Sequence, residues 1–161
     1  MIILQARWYA AAGFNRGAID SIKELRFNPR LGQRDQLYLK QLNPIVKFNV
    51  GYTVWGQLTS QAKPSAMQDL NIVRLVLYCK KALEDYARFF IFELNDSATW
   101  DAVKKDVVQF LDDIQSRRGL YSYSVDVGAT EYEKKTKTFH LNVTLQPTRV
   151  VEKIELNFFI K

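Results

Sequence analysis

Residues 95–127 read NDSATWDAVKKDVVQFLDDIQSRRGLYSYSVDV, and within that stretch the spacing of apolar residues changes from helical to extended. Trp100, Val103, Val107, Phe110, Leu111 and Ile114 recur three and four residues apart, which places them on one stripe of an amphipathic helix. Asn95-Asp96-Ser97 supplies a capping cluster at its start, because short polar side chains accept hydrogen bonds from the first free backbone N–H groups. Arg117 and Arg118 fall in the last turn, where cations complement the negative helix end, and Gly119 is expected to take the left-handed cap. A strand is predicted immediately after, over residues 121–127.

Outward from there, a second helix is predicted from Leu70. Val73, Val76, Leu77, Cys79, Leu83, Tyr86 and Ala87 continue its apolar stripe for about five turns, with Arg74, Lys80, Lys81, Glu84 and Asp85 mostly opposite. On the other side, residues 128–137 read as a polar, charged loop. Phe139, Leu141, Val143 and Leu145 then alternate with His140, Asn142, Thr144 and Gln146 at period two, the pattern of a half-buried strand. Pro147 cannot donate to a ladder and marks a break. Past it, Ile154, Leu156, Phe158 and Ile160 alternate with Glu155, Asn157 and Phe159 in a second strand pattern. A strand this apolar is an aggregation hazard in water, so either the domain folds it in or a neighbouring subunit takes it up.

Nearer the beginning, residues 1–31 read as irregular with room for one strand, and Asn28-Pro29-Arg30-Leu31-Gly32 is a turn signal. A short helix is predicted over 33–42, ending before Asn43-Pro44 because a residue preceding proline is pushed out of the helical region. Short strands at 45–48 and 52–55 flank Gly51, and 57–66 is a polar loop. The predicted fold is α/β, of α+β kind: two long amphipathic helices packed on a small mixed β-sheet. Residues 1–161 form a single domain, with 148–161 as a C-terminal linker and arm strand available for pairing between subunits.

Composition narrows the function classes. With 161 residues, 47% hydrophobic and 25% charged, the chain has the make-up of one ordinary globular domain. No apolar run approaches the roughly 20 residues that span a bilayer, and residues 1–4 are too short for a secretory signal, so a soluble, unexported protein is expected. Its single cysteine excludes an internal disulfide and any multi-cysteine metal site; Cys79, in a helical stripe, reads as a small buried thiol. A net charge of +6 allows an acidic partner, but the cations are scattered pairs (Lys80-Lys81, Lys104-Lys105, Arg117-Arg118, Lys134-Lys135), not the contiguous basic face of a nucleic-acid-binding module.

Catalytic chemistry has no candidate set. His140 is the only imidazole and sits mid-strand, away from anything resembling a nucleophile elbow. The few glycines build neither a phosphate loop nor a dinucleotide fingerprint. Asp112-Asp113 and the Glu152, Glu155 pair are most simply charges on solvated surfaces. No enzyme activity, cofactor, metal, nucleic-acid partner or membrane contact is therefore expected.

Several short motifs in register carry a family resemblance. Trp8-Tyr9-Ala10-Ala11-Ala12-Gly13 with Asn15-Arg16-Gly17, Leu37-Tyr38, Leu42-Asn43-Pro44-Ile45 and Val54-Trp55-Gly56-Gln57-Leu58-Thr59 form the first half. Asn71-Ile72-Val73-Arg74-Leu75, Phe92-Glu93-Leu94-Asn95-Asp96, Arg117-Arg118-Gly119-Leu120-Tyr121 and Gln146-Pro147-Thr148 with Ile154 complete it. Together they resemble the C-terminal region of contractile phage tail sheath proteins. Leu58 stands where that family usually has a basic residue, and Leu94 where proline is common.

The resemblance implies part of a longer subunit whose C-terminal domain forms the inner, tube-facing layer of the sheath. It implies neighbours laced together by arm strands added to a small sheet, and contraction without nucleotide hydrolysis. Residues 122–127 and 139–145 (among them Val125, Val127, Phe139, Leu141 and Val143) would be the receiving strands, and 153–161 (Ile154, Leu156, Phe158, Ile160) the donated one. Val150, Val151 and Glu152 would be the hinge. Lys104, Lys105, Arg117 and Arg118, with Lys80 and Lys81 behind them, would face an acidic tail tube. The implied partners are other sheath subunits in a helical homo-oligomer, the tail tube protein, and the baseplate and tail terminator at the ends. The implied location is the virion tail sheath, assembled in the host cytoplasm; a bacterial contractile injection device is the alternative source.

Overall fold

A computed structural model describes residues 6–157 of the chain. Its centre is the long helix read first from the sequence. Numbered in chain order, the elements are β1 (Ala18–Ile19), α1 (Leu31–Leu39), β2 (Ile45–Phe48), β3 (Gly51–Val54), α2 (Leu70–Ala87), α3 (Ser97–Ser116), β4 (Leu120–Gly128), α4 (Glu131–Lys135) and β5 (His140–Pro147). Asp96 caps α3 by accepting a 3.0 Å hydrogen bond from the Thr99 N–H. Val103, Val107, Leu111 and Ile114 are fully buried along one stripe of α3, while Trp100 and Phe110 are half-buried at its margins.

The C-terminal end of α3 corrects one expectation. The left-handed residue is Arg118, at φ +67°, and not Gly119. Arg118 N–H donates to the Gln115 carbonyl (2.9 Å) and Gly119 N–H to the Ile114 carbonyl (2.8 Å), the paired bonds of a Schellman motif. Gly119 is glycine for a different reason. A Cβ there would lie 2.6 Å from Ile114 Cγ2 and 3.0 Å from Trp8 Cδ2, so the chain leaves α3 through a gap that holds no side chain.

The stripe of α2 is rotated from the predicted one. Ile72, Leu75 and Cys79 are its buried apolar residues, whereas Leu77 is 59% exposed and Ala87 is also at the surface. Between Leu70 and Cys79 nearly every residue is apolar, so the pattern supports more than one stripe and packing selects among them. Leu75 and Cys79 meet Val103, Val107, Leu111 and Ile114, and the same core takes in Trp8 and Leu120. Trp8 joins both helices: its indole N–H donates to the Arg117 carbonyl (3.0 Å), and its own carbonyl accepts from buried Asn71 (3.1 Å).

The α/β class holds, but the strands form two antiparallel sheets, not one mixed sheet. One is β1-β3-β2 and the other is the pair β4-β5. Both long pairings are between neighbours in the chain, and such local connections produce antiparallel ladders. In the first sheet Val46 and Thr53 are buried as cross-strand partners, and Gly51 turns the hairpin at φ +116°. Helix α1 ends earlier than predicted, because Gln41 enters the left-handed region (φ +59°) and Gln41 and Leu42 cap the Tyr38 and Leu37 carbonyls. In the second sheet Tyr123, Val125 and Val127 lie opposite Leu145, Val143 and Leu141. The expected loop between these strands contains α4, started by a capping box in which Thr130 and Glu133 satisfy each other's backbone N–H.

Candidate assembly interface

Side chains on β4 and β5 divide by face. Tyr123, Val125, Val127, Leu141, Val143 and Leu145 pack half-buried against the core that α3 dominates. Ser122, Ser124, Asp126, Asn142, Thr144 and Gln146 are exposed on the other face. Four of the five proposed receiving residues (Val125, Val127, Leu141, Val143) therefore lie within the ladder. Phe139 packs against the core but precedes β5. With only two strands in this sheet, each strand has one edge without a ladder partner among the described residues. Such edges are templates for a further strand.

Beyond Pro147 the chain carries no regular structure through Asn157. Ile154 and Leu156 are exposed (77% and 75%), and the strand pattern of 153–161 is not a strand where it is described. An extended segment needs a neighbour for its N–H and C=O groups, and none is in place among the described residues. Phe158 and Ile160 lie outside the described residues.

The predicted hinge residues differ from one another. Val150 is half-buried and Val151 exposed. Glu152 is attached to the body: the Tyr38 hydroxyl of α1 donates to its Oε2 at 2.5 Å. Burial first, and then the Glu152 carboxylate, push the Tyr38 phenol well above its ordinary range. Asp69, at the start of α2, is raised by burial and by Glu152, with Arg149 opposing the shift. Sequence reasoning passed over Tyr38 and Asp69, since nothing in their local patterns points to a partner more than eighty residues away.

The six candidate cations differ in what they already hold. Lys80 pairs with Glu84 (3.7 Å), Lys81 with Asp85 (2.8 Å) and Arg117 with Asp113 (3.1 Å), and Arg117 also lies over the Trp8 ring. Lys104, Lys105 and Arg118 are exposed and make no ion pair among the described residues. Along α3, Lys104 and Arg117 are thirteen residues apart, about 20 Å at 1.5 Å per residue.

The groups considered for chemistry are engaged in structural contacts. His140 Nδ1 sits 3.1 Å from both Glu133 carboxylate oxygens, and its Nε2 is 3.4 Å from Asp126. Asp112 accepts from the Tyr123 hydroxyl, and Asp113 holds Arg117. Burial pushes the Cys79 thiol up to about 11, which leaves almost no thiolate at neutral pH. Among the described residues no cluster of histidine, cysteine and carboxylates could hold a metal ion, and no helix is long and apolar enough to cross a membrane. A second apolar surface was not foreseen. In the turn between α2 and α3, Phe89, Ile91, Phe92 and Leu94 are all exposed, and Phe92 stands fully in solvent at φ +78°.

Residues 62–161 match the family model described as the phage tail sheath C-terminal domain. The chain belongs to this family. Tail sheath proteins of Vibrio phage KVP40 and Enterobacteria phage T4 are 33% and 30% identical to it over 155 residues, 94% of this sheath domain. The chain spans only 23% and 24% of those two relatives. Among solved structures, the sheath of an extracellular contractile injection system (PVC, contracted state) matches with a TM-score of 0.87 at 24% identity, covering 95% of this chain and 46% of that one. The contracted helical sheath of the anti-feeding prophage matches with a TM-score of 0.85 at 22% identity, covering 95% and 45%. The fold of the sheath domain is thus shared with those assemblies.

Proposed function

We propose that this domain laces sheath subunits together in a contractile tail, each copy donating its C-terminal arm to the β4-β5 hairpin of a neighbour. The observation that carries the reading is the pairing of two features in one chain of the sheath family. One is a two-stranded sheet whose two outer edges have no ladder partner among the described residues; the other is an exposed segment near the C-terminus whose apolar residues alternate. Main-chain hydrogen bonds would set the register, while Ile154, Leu156, Phe158 and Ile160 continue the apolar face formed by Leu141 and Val143. Such a contact is head to tail and propagates as an open helix.

The subunit would polymerise around the tail tube and contract to drive the tube through the host envelope, as part of the virion tail, with baseplate and terminator at the ends. Relaxation from a trapped extended lattice supplies the work, without a cofactor or a catalytic step in this chain. Of the six candidate cations, Lys104, Lys105 and Arg118 make no ion pair among the described residues and would meet an acidic tube, and exposed ion pairs of about 1 kcal/mol or less would let the sheath release it. Curated relatives from phages at 30–33% identity favour a phage over a bacterial injection device.

A structure of the assembled sheath tests the reading by showing which chain lies beside β5. Placing a charge at the arm, Leu156→Asp, is expected to abolish polymerisation, while Asn157→Ser on the opposite side leaves it intact. A sheath in which every arm pairs within its own chain would rule out lacing by donated arms.

A further inference from the structure

We infer that Tyr38 and Glu152 form an anchor that fixes where the arm leaves its own subunit, so that the pivot lies beyond Glu152 and not within residues 150–152. This rests on the lacing reading for its consequence in the sheath, although the anchor itself is a contact within one chain. The linker is held at both ends. Thr148 N–H donates to the Gly119 carbonyl at 3.1 Å, and Glu152 accepts from Tyr38 at 2.5 Å. Between them, Arg149 lies close enough to Asp69 to oppose the rise of its acid. Tyr38 is a fixed post: it sits in the last turn of α1, and that turn is locked by the Gln41 and Leu42 N–H groups bonding back to Tyr38 and Leu37. From Lys153 to Asn157 no residue makes a hydrogen bond among the described residues, and all are exposed. The change from held to free falls at one peptide unit.

Position decides reach. Residues 153–161 are nine in number and extend about 30 Å at roughly 3.3 Å per residue, while the eight residues of β5 need about 26 Å. An arm launched from Glu152 is just long enough to cover a neighbour's β5. Freeing Glu152 would add residues 149–152 to the tether, about 13 Å of slack, and loosen the spacing that the arm imposes. Tyr38 is therefore a positioning residue for assembly. It is remote in sequence from the arm and would be overlooked by any search confined to the C-terminus.

Spin labels test the anchor in the unassembled subunit. Native Cys79 is buried and its thiol pKa is pushed up, so exposed cysteines from Val151→Cys and Glu155→Cys are expected to label ahead of it. The label at 151 is expected to move several-fold more slowly than that at 155, and Tyr38→Phe is expected to bring 151 to the mobility of 155. Equal mobility at the two positions in the wild-type background would overturn the anchor. In assembled sheaths, Tyr38→Cys with Glu152→Cys, joined by a short bis-maleimide before triggering, should still contract, because the pivot lies past the link. Loss of contraction in the linked sheath, with normal contraction of the unlinked double variant, would place the pivot in 150–152 and refute the inference. If Leu156→Asp polymerises normally while the label contrast holds, it is the lacing reading that fails and the anchor stands.

Discussion

Gly119→Ala and Arg118→Gly should change stability in opposite directions. A Cβ on Gly119 would sit 2.6 Å from Ile114 Cγ2, 3.0 Å from Trp8 Cδ2 and 3.1 Å from the Ile114 carbonyl oxygen. Neither side-chain neighbour has room to retreat, since Ile114 is 1% and Trp8 6% exposed, and Trp8 is also held by its hydrogen bond to Arg117. Overpacking of this kind costs about 1–3 kcal/mol, and displacing the indole from its acceptor adds about 1 kcal/mol. The variant is expected to lose about 2–4 kcal/mol, or roughly 5–15 °C in Tm for a domain of this size. Arg118 holds a side chain in the left-handed region, so glycine there should stabilise by about 1 kcal/mol. Urea titration followed by circular dichroism measures both, the midpoint shifting while the slope stays constant. Gly119→Ala within about 0.5 kcal/mol of wild type, or a destabilised Arg118→Gly, would refute this account of the helix end.

Other predictions concern exposed groups. Phe92 is fully exposed at φ +78°, so Phe92→Gly should raise stability by about 1 kcal/mol in a thermal melt, and an unchanged or lowered midpoint would refute this reading. The Glu133 carboxyl is held below its ordinary range, first by the Thr130 backbone N–H and then by His140 and the Thr130 side chain. A depressed folded-state acid contributes stability that is complete above the unfolded glutamate value and fades as pH falls through the folded value. Glu133→Gln should remove that acid-side limb from the pH–stability profile, as read from urea midpoints across the glutamate range.

The long elements were legible because their signals are local and repeated. Asp96 as cap, the stripe through Val103, Val107, Leu111 and Ile114, and the period-two run from Leu141 to Leu145 each need only their own residues. What failed depended on distant neighbours. Nothing near Gly119 shows that Trp8 closes over it, and the phase of the α2 stripe is set by α3, not by its own sequence. Helix α4 is a different case, since Thr130-x-x-Glu133 is a local capping signature hidden in a charged stretch. Past Pro147, the alternation is plain in the sequence but gives no sign that Glu152 is tied to Tyr38. The cations were visible as pairs, yet only coordinates separate Lys104 and Lys105 from those already matched to Asp113, Glu84 or Asp85.

That residues 153–157 stand without a ladder has a consequence for how a sheath begins to grow. Under the proposed lacing, docking would order these five residues of the arm at about 1–2 kcal/mol of backbone entropy each, on the order of 5–10 kcal/mol for this part. Burying Ile154 and Leu156 returns about 3–6 kcal/mol, and a few ladder hydrogen bonds at about 1 kcal/mol each bring the two sides close to balance. A single exchange between two free subunits would then be transient, and subunits could coexist at high concentration without joining. Once a ring presented many hairpins at fixed positions, each newcomer would both give and receive, and the second contact would no longer bear the cost of bringing partners together. Growth would start where a template already holds the first ring, and length would follow the template and not the supply of subunits.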